Sequence, residues 1–354
     1  MYILIFNIIS IPIEYFLVSA LAAIGKTGDK FKRRLFIFVV FIQLFILHAF
    51  LDPNVMEDLP GYYDTYDFFA RNSLYESIFI GQVGVKMEPG WIIICKLLSY
   101  LSMNPRLMLI FSSILIVGAY SIAFYKYSPY TWLSYFILLC TIFDQSLFVL
   151  RQHSAMAICL LSVPYIINRK PKQFFTLFII ACTIHMTSVI FLPLYFLYKV
   201  KINELFLVKF LIISFVGLLF ARPIFSWLFS HTWYNSYEET DGSNAVMFFI
   251  NLCVLMLFLY SKNWNVNRVE GATKCFFLMM CIASFISLCG IGFSPTNRLV
   301  KYYTIAGMLL IPTSIYNLRD KVLKSVIIIC VVLLYFALFF SESNLEFIRD
   351  YRLS

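Results

Sequence analysis

Charge is scarce in this chain. Asp, Glu, Lys and Arg make up 13% of its 354 residues, against about a quarter in a soluble globular domain. A water-facing surface cannot be built from so few charges, so an ordinary soluble fold is excluded. No glycine-rich phosphate loop occurs, and none of the nine cysteines forms a Cys-x-x-Cys pair. Almost all of them lie inside apolar runs and read as small buried hydrophobes. No cluster has metal-ligand spacing, no cofactor site stands out, and no internal repeat or second, soluble domain is visible. The start of the chain lacks the basic n-region of a cleaved signal peptide, and a basic loop and another apolar run follow it.

Apolar side chains are abundant: 61% of the residues are hydrophobic and 19% aromatic. They come in repeated runs of 17 residues or more, long enough to cross a bilayer. The chain is therefore expected to be all-α, a polytopic integral membrane protein of about 10–12 transmembrane helices in one domain over 1–354. The net charge of +9 does not point to nucleic acid, because most of it sits in short Lys/Arg loops between spans.

Those loops set the orientation. Lys26, Lys30, Lys32, Arg33 and Arg34 face a single acid, Asp29, which puts the loop between runs 2–24 and 35–51 in the cytoplasm. Residues 52–88 have the opposite character, with seven acidic side chains against Arg71 and Lys86, and are expected outside. Glu88-Pro89-Gly90 opens a short apolar helix over 89–103, and spans are expected at 106–125, 130–148 and 152–167. Arg169-Lys170-Pro171-Lys172 then lies inside, which places Arg151 at the external side. The run 173–198 reads as a re-entrant hairpin with His185 near its tip, or as one long tilted span; the hairpin keeps the later loops consistent. Loop 223–243 faces out, and spans at 205–222, 244–261, 275–293, 301–317 and 325–341 complete the count.

Polar residues within apolar runs are costly and usually face a water-filled cavity or substrate path. Three such places occur: Arg151-Gln152-His153, His185, and Asn297-Arg298 with Tyr302 one turn on. Two arginines on one side without acids beside them suit a diphosphate, which favours bidentate cationic donors. The alternative for Arg151 is an ion pair with Asp144, seven residues earlier, if the helix is continuous. His185 is either a proton acceptor or substrate donor, or a helix–helix hydrogen bond. Arg222, at the outer end of its span, reads first as a lipid-phosphate contact and second as a diphosphate ligand. Glu14 stands inside the first span. In the external loop, Tyr62, Tyr66 and Phe69 share one helical face and Asp64, Asp67 and Arg71 another. That arrangement suits a sugar, or an interfacial amphipathic helix with no ligand.

The order of these features resembles a known family. Asp64-x-Tyr66 is followed by Glu88-Pro89-Gly90, then by Arg151-x-x-x-Ala155 at a helix break and a basic Arg169-Lys170 turn. Ala181-x-x-x-His185-x-x-Ser188 leads to Pro193, and a late Arg298 follows. Together they resemble the EpsG-like branch of the Wzy-type O-antigen and exopolysaccharide polymerases, over roughly 1–317. The tail from Ser341 departs from the tyrosine-proline ending of EpsG relatives. The resemblance implies a GT-C-like glycosyltransferase in the bacterial plasma membrane, joining undecaprenyl-diphosphate-linked oligosaccharides at the periplasmic or external face. Its partners would be membrane lipid and, in the pathway, a flippase and a chain-length regulator.

On that reading Arg151, His185 and Arg298 are the catalytic candidates, the arginines stabilising the leaving diphosphate and His185 taking the acceptor proton. Asp64, Tyr66, Glu88, Gln152, Arg222 and Tyr302 are candidate substrate contacts, with Asp64 or Glu88 as second choice for the base. Catalysis is expected to be metal-independent, although Asp64 and Asp67 form an acidic pair in the first external loop. An O-antigen ligase is the nearest alternative, and a membrane O-acyltransferase or a lipid-linked oligosaccharide flippase lies further off. A flippase should carry cations along several spans at different depths; here they gather at the outer ends.

Overall fold

The computed structural model describes residues 2–26, 28–55, 58–80, 87–230, 243–291 and 296–340, with backbone only at 2, 80, 221–230 and 243. Among them the secondary structure is helical: sixteen α-helices joined by short turns and single turns of tighter or wider helix. The helices are α1 (Tyr2–Ile24), α2 (Asp29–Ala49), α3 (Asp58–Arg71), α4 (Pro89–Ser99), α5 (Arg106–Tyr127), α6 (Thr131–Thr141), α7 (Phe143–Ser146) and α8 (Leu150–Ile167). They continue with α9 (Pro171–Ile184), α10 (Leu192–Leu197), α11 (Glu204–Ser230), α12 (Ser243–Ser261), α13 (Gly271–Cys289), α14 (Thr296–Thr304), α15 (Gly307–Asn317) and α16 (Lys321–Phe339).

Five of the described helices are long and apolar enough to cross a membrane alone: the segments 3–24, 106–127, 244–261, 271–289 and 321–339. Large apolar side chains such as Phe6, Phe16, Leu21, Phe215 and Leu333 lie on the outside, as lipid requires and water would not tolerate. The chain is an all-α polytopic membrane protein. Several apolar runs that read as single spans are subdivided. The run 130–148 becomes α6 and α7, 301–317 spans the end of α14 and α15, and 173–198 is interrupted at His185 between α9 and a 3-10 turn over Met186–Phe191. That break excludes a continuous helix over 173–198.

The expected external loop 52–88 is largely helical, with a 3-10 turn at Pro53–Val55, α3, and a π turn at Glu76–Ile80. Of the loop expected at 223–243, residues 223–230 continue α11 and 231–242 lie outside the described residues, as does the tail 341–354.

The chain divides into two compact units, Met1–Ser162 with Phe175–Ser188 and Ser325–Ser354, and Val163–Phe174 with Val189–Lys324. In the first, α2 packs against α1 and α5, α1 against α6, and α3 against α4. An aromatic cluster fills the centre: Phe36 meets Tyr15 at 5.2 Å and Tyr135 at 6.1 Å between ring centroids, and Phe124 meets Tyr135 at 4.9 Å. Polar clamps tie helices where no solvent competes: Gln43 Nε2 donates to Asn7 Oδ1 (2.5 Å) and Ser10 Oγ (2.8 Å). In the second unit α13 is the hub, packed by α10, α11, α12, α14 and α15. A Cβ on Gly217 of α11 would come 2.6 Å from the Phe285 ring on α13, so the glycine permits that approach.

Basic side chains close many helix ends. Lys96 Nζ donates to the carbonyls of Ala70 (3.0 Å) and Asn72 (2.8 Å) at the end of α3. Arg33 reaches Phe124 and Ser128 at the end of α5, Arg106 reaches Leu51 beyond α2, and Lys324 reaches Tyr316 at the end of α15. Each satisfies carbonyls that a helix leaves open and complements its negative end.

Candidate functional site

Arg151 is used differently from those cations. It sits in the first turn of α8, after a stretch in which α7 ends at Ser146 and the chain re-forms helix at Leu150. His48 helps shape that stretch. Its Nε2 lies 2.8 Å from the Ser146 carbonyl and its Nδ1 2.8 Å from Ser113 Oγ, so both ring nitrogens are engaged. The discontinuity cancels the register on which an Asp144–Arg151 pair depended.

The anionic partner of Arg151 is instead Glu88, 63 residues earlier. Arg151 Nη1 donates to Glu88 Oε2 at 2.5 Å, and Arg151 Nε to the Tyr62 hydroxyl at 3.3 Å. Nη2 carries no hydrogen bond within the described residues. The expectation of arginines without acids beside them thus fails at Arg151. The partner is close in space but remote in sequence.

Glu88 precedes α4, where Pro89 starts the helix and the Glu88 carbonyl accepts from the Trp91 and Ile92 amides. Its other carboxylate oxygen, Oε1, accepts from His185 Nδ1 (2.9 Å) and the Met186 amide (3.2 Å). Gly90 explains the closeness of α4 to the end of α9: a Cβ there would stand 2.4 Å from Thr183 Oγ1 and 2.7 Å from the Thr183 backbone. On the other side of the break, the Ala181 carbonyl accepts from the His185 amide (2.9 Å) and from Ser188 Oγ (3.3 Å). The spacing Ala181-x-x-x-His185-x-x-Ser188 is therefore the local chemistry of a helix end that presents His185.

Burial pushes the Glu88 carboxyl up, but the His185 hydrogen bond and the charges of Arg151 and His185 outweigh it and hold it at about 2. Glu88 is ionised at neutral pH. An ionised carboxylate only accepts hydrogen bonds, so His185 Nδ1 must carry a proton. His185 Nε2 is buried without a hydrogen-bond partner among the described residues, and the residue is 8% exposed. Among the described residues, the cluster combines a guanidinium whose Nη2 carries no hydrogen bond, a fixed carboxylate, and a buried imidazole nitrogen without a hydrogen-bond partner.

Of the sequence candidates, Arg151, Glu88 and His185 come together within the first unit. Gln152 and His153 are buried at 2% and 1% exposure. Successive helix positions turn by about 100°, so they do not share the outlook of Arg151. Tyr66 is buried with its hydroxyl on the Ser102 carbonyl at 2.8 Å, and Tyr62 and Phe69 are buried beside it, so the aromatic face of α3 is core. Asp64 lies on the exposed side of α3. Arg298 and Tyr302 belong to α14 in the second unit, where Tyr302 is buried. The Arg222 side chain lies outside the described residues. Tyr62 as an arginine partner and the Gly90–Thr183 approach were not foreseen; 89 residues separate Tyr62 from Arg151, and no local pattern announces the pair.

Fold and cluster together define a polytopic helical membrane protein with a half-buried Arg–Glu–His constellation. The chain belongs to the EpsG family, whose model matches residues 34–345. That membership suggests a polysaccharide-polymerase-like role. Comparison with curated proteins and with solved structures gives no match.

Proposed function

We propose that this chain is a glycosyltransferase, a polysaccharide polymerase that joins undecaprenyl-diphosphate-linked repeat units at the external face of the bacterial plasma membrane. The observation that carries the reading is the shared anchoring of Arg151 and His185 on Glu88, which leaves Arg151 Nη2 and His185 Nε2 without hydrogen bonds among the described residues. In the proposed step the acceptor hydroxyl oxygen attacks the anomeric carbon of the donor and its proton passes to His185 Nε2. The bond from that carbon to the lipid diphosphate breaks, and the leaving group departs with the electron pair. Arg151 offers a fixed cationic donor to the charge that builds there, which stabilises the transition state more than the ground state. Arg298, put forward by the sequence as a second cation, is to be tested by its own substitution.

The test is reconstitution with lipid-linked repeat units extracted from cells lacking this protein. His185→Ala should still bind them but lose about 10²–10⁴ in rate, the scale of one general base. In cells the single-unit intermediate should accumulate on the outer leaflet. Its accumulation on the inner leaflet would indicate a flippase, and full polymerisation by His185→Ala would remove the histidine from the mechanism.

A further inference from the structure

We infer that Glu88 is the positioning residue of this site: one carboxylate that fixes the ring orientation and tautomer of His185 with one oxygen and the guanidinium of Arg151 with the other. The inference rests on the polymerase reading and goes beyond it by taking Glu88 out of the substrate-binding and base roles.

Occupancy of the carboxylate is the first argument. Oε1 accepts from His185 Nδ1 and the Met186 amide, and Oε2 from Arg151 Nη1. Three donors from two separate helix ends already converge on it. A group held in this way is poorly suited to receive a sugar hydroxyl or its proton.

The comparison with His48, one of the two further buried histidines of the first unit, is the second. Both ring nitrogens of His48 have partners, Ser146 and Ser113, as expected of a histidine that only joins helices. His185 has Nδ1 tied to a carboxylate and Nε2 buried without a partner among the described residues. An acceptor-only partner forces the proton onto Nδ1, so in the neutral ring the lone pair is on Nε2. The nitrogen that must take a proton is therefore the one left without a partner among the described residues.

Rigidity is the third. Glu88 stands at the start of α4, which the Gly90–Thr183 approach presses against the end of α9. Arg151 is pinned from a second side by Tyr62, whose ring packs edge-on to Trp91 of α4 at 5.9 Å. Base and cation are thus carried by one frame, which sets the distance between the acceptor proton and the leaving group.

The experiment uses full-length protein in lipid nanodiscs, labelled with ¹⁵N-histidine. Only four histidines are present, so His185→Ala assigns the His185 signals. The wild-type spectrum of the neutral ring should show Nδ1 protonated and Nε2 bare. Glu88→Gln should shift the tautomer populations and lower kcat at least about tenfold, with KM for the extracted lipid-linked units changed less than about threefold. A wild-type ring protonated at Nε2 and bare at Nδ1 overturns the proposal even if Glu88→Gln fails to fold. A raised KM with unchanged kcat also overturns it and returns Glu88 to substrate binding. If His185→Ala polymerises normally, the polymerase-base reading itself has failed. If His185→Ala is inactive while Glu88→Gln matches wild type, only the positioning role has failed.

Discussion

Glu88 and His185 are 97 residues apart in the chain and 2.9 Å apart in the structure, joined by a hydrogen bond from the imidazole Nδ1 to the carboxylate. The contact links two places where helix is interrupted, the start of α4 and the end of α9. Interrupted helices leave backbone donors and acceptors open, and these need partners in protein or water. Here Glu88 accepts the Met186 amide at the break as well as the side chain that the break presents. The polar features that make the apolar run discontinuous are thus the same ones that build the site.

Arg151 should not tolerate replacement by lysine. Its Nε and Nη1 engage Tyr62 and Glu88 in different directions, which a single ammonium cannot reproduce. We expect Arg151→Ala to lower kcat by about 10²–10³, the usual effect of deleting one electrostatic donor, and Arg151→Lys to recover little of it. Protein level in the membrane should stay close to wild type for Arg151→Lys. Wild-type turnover by that variant would show that a point charge suffices and that the fork geometry is irrelevant.

Gly90 is predicted to be intolerant of even one methyl group. The added Cβ would meet the Thr183 backbone at 2.7 Å, and backbone cannot move aside as a side-chain tip can. We expect Gly90→Ala to separate α4 from α9 and loosen the Glu88–His185 bond, with a loss of turnover larger than the loss of folded protein. Pairing it with Thr183→Ala should recover little, because the closest backbone atoms remain. Full activity in Gly90→Ala would disprove the role given to this contact.

Much of the fold was legible, and the site partly so. The all-α membrane class follows directly from apolar runs and sparse charge, because lipid leaves few alternatives to the helix. Glu88, Arg151 and His185 were each singled out by a local anomaly: an N-terminal Glu-Pro-Gly, and polar residues within apolar runs. Their mutual pairing was not legible, since it depends on three helices meeting. The same limit misdirected the α3 aromatics. Periodicity correctly put Tyr62, Tyr66 and Phe69 on one face but could not say whether that face met a sugar or α4. Lys96 is a lone cation in the apolar run 89–103, and no local pattern told that its ammonium closes the end of α3.

Lys96 therefore supplies a contrast to Arg151, as a buried cation whose work is structural. Hydrogen bonds from a charged donor, such as those to the Ala70 and Asn72 carbonyls, each contribute on the order of 1.5–3 kcal/mol net of the water they replace. We expect Lys96→Met, which keeps the aliphatic stem, to lower the thermal midpoint of purified protein without changing kcat per folded molecule. A fall in kcat at unchanged thermal midpoint would move Lys96 from the scaffold to the site.

The last prediction concerns acid. The folded-state carboxyl of Glu88 lies at about 2, below its ordinary 4.5, because the hydrogen bond from His185 and the charges of Arg151 and His185 outweigh desolvation. A depressed carboxylate contributes stability that is fully present above the unfolded-state value and is lost as pH falls through the folded one. The groups facing it are His185, Arg151 and the Met186 amide, with the Tyr62 hydroxyl on the far side of Arg151. Protonation of Glu88 itself should therefore contribute nothing to any change of activity or stability between pH 8 and about 5. Comparing thermal midpoints of wild type and Glu88→Gln across pH checks this. The wild-type advantage that comes from the Glu88 charge should not shrink as pH falls to about 5, and should shrink from about 4.5 towards 2. An advantage that already shrinks between pH 7 and 6, with His185→Ala as the control for histidine titration, would mean that Glu88 is not held ionised by this cluster.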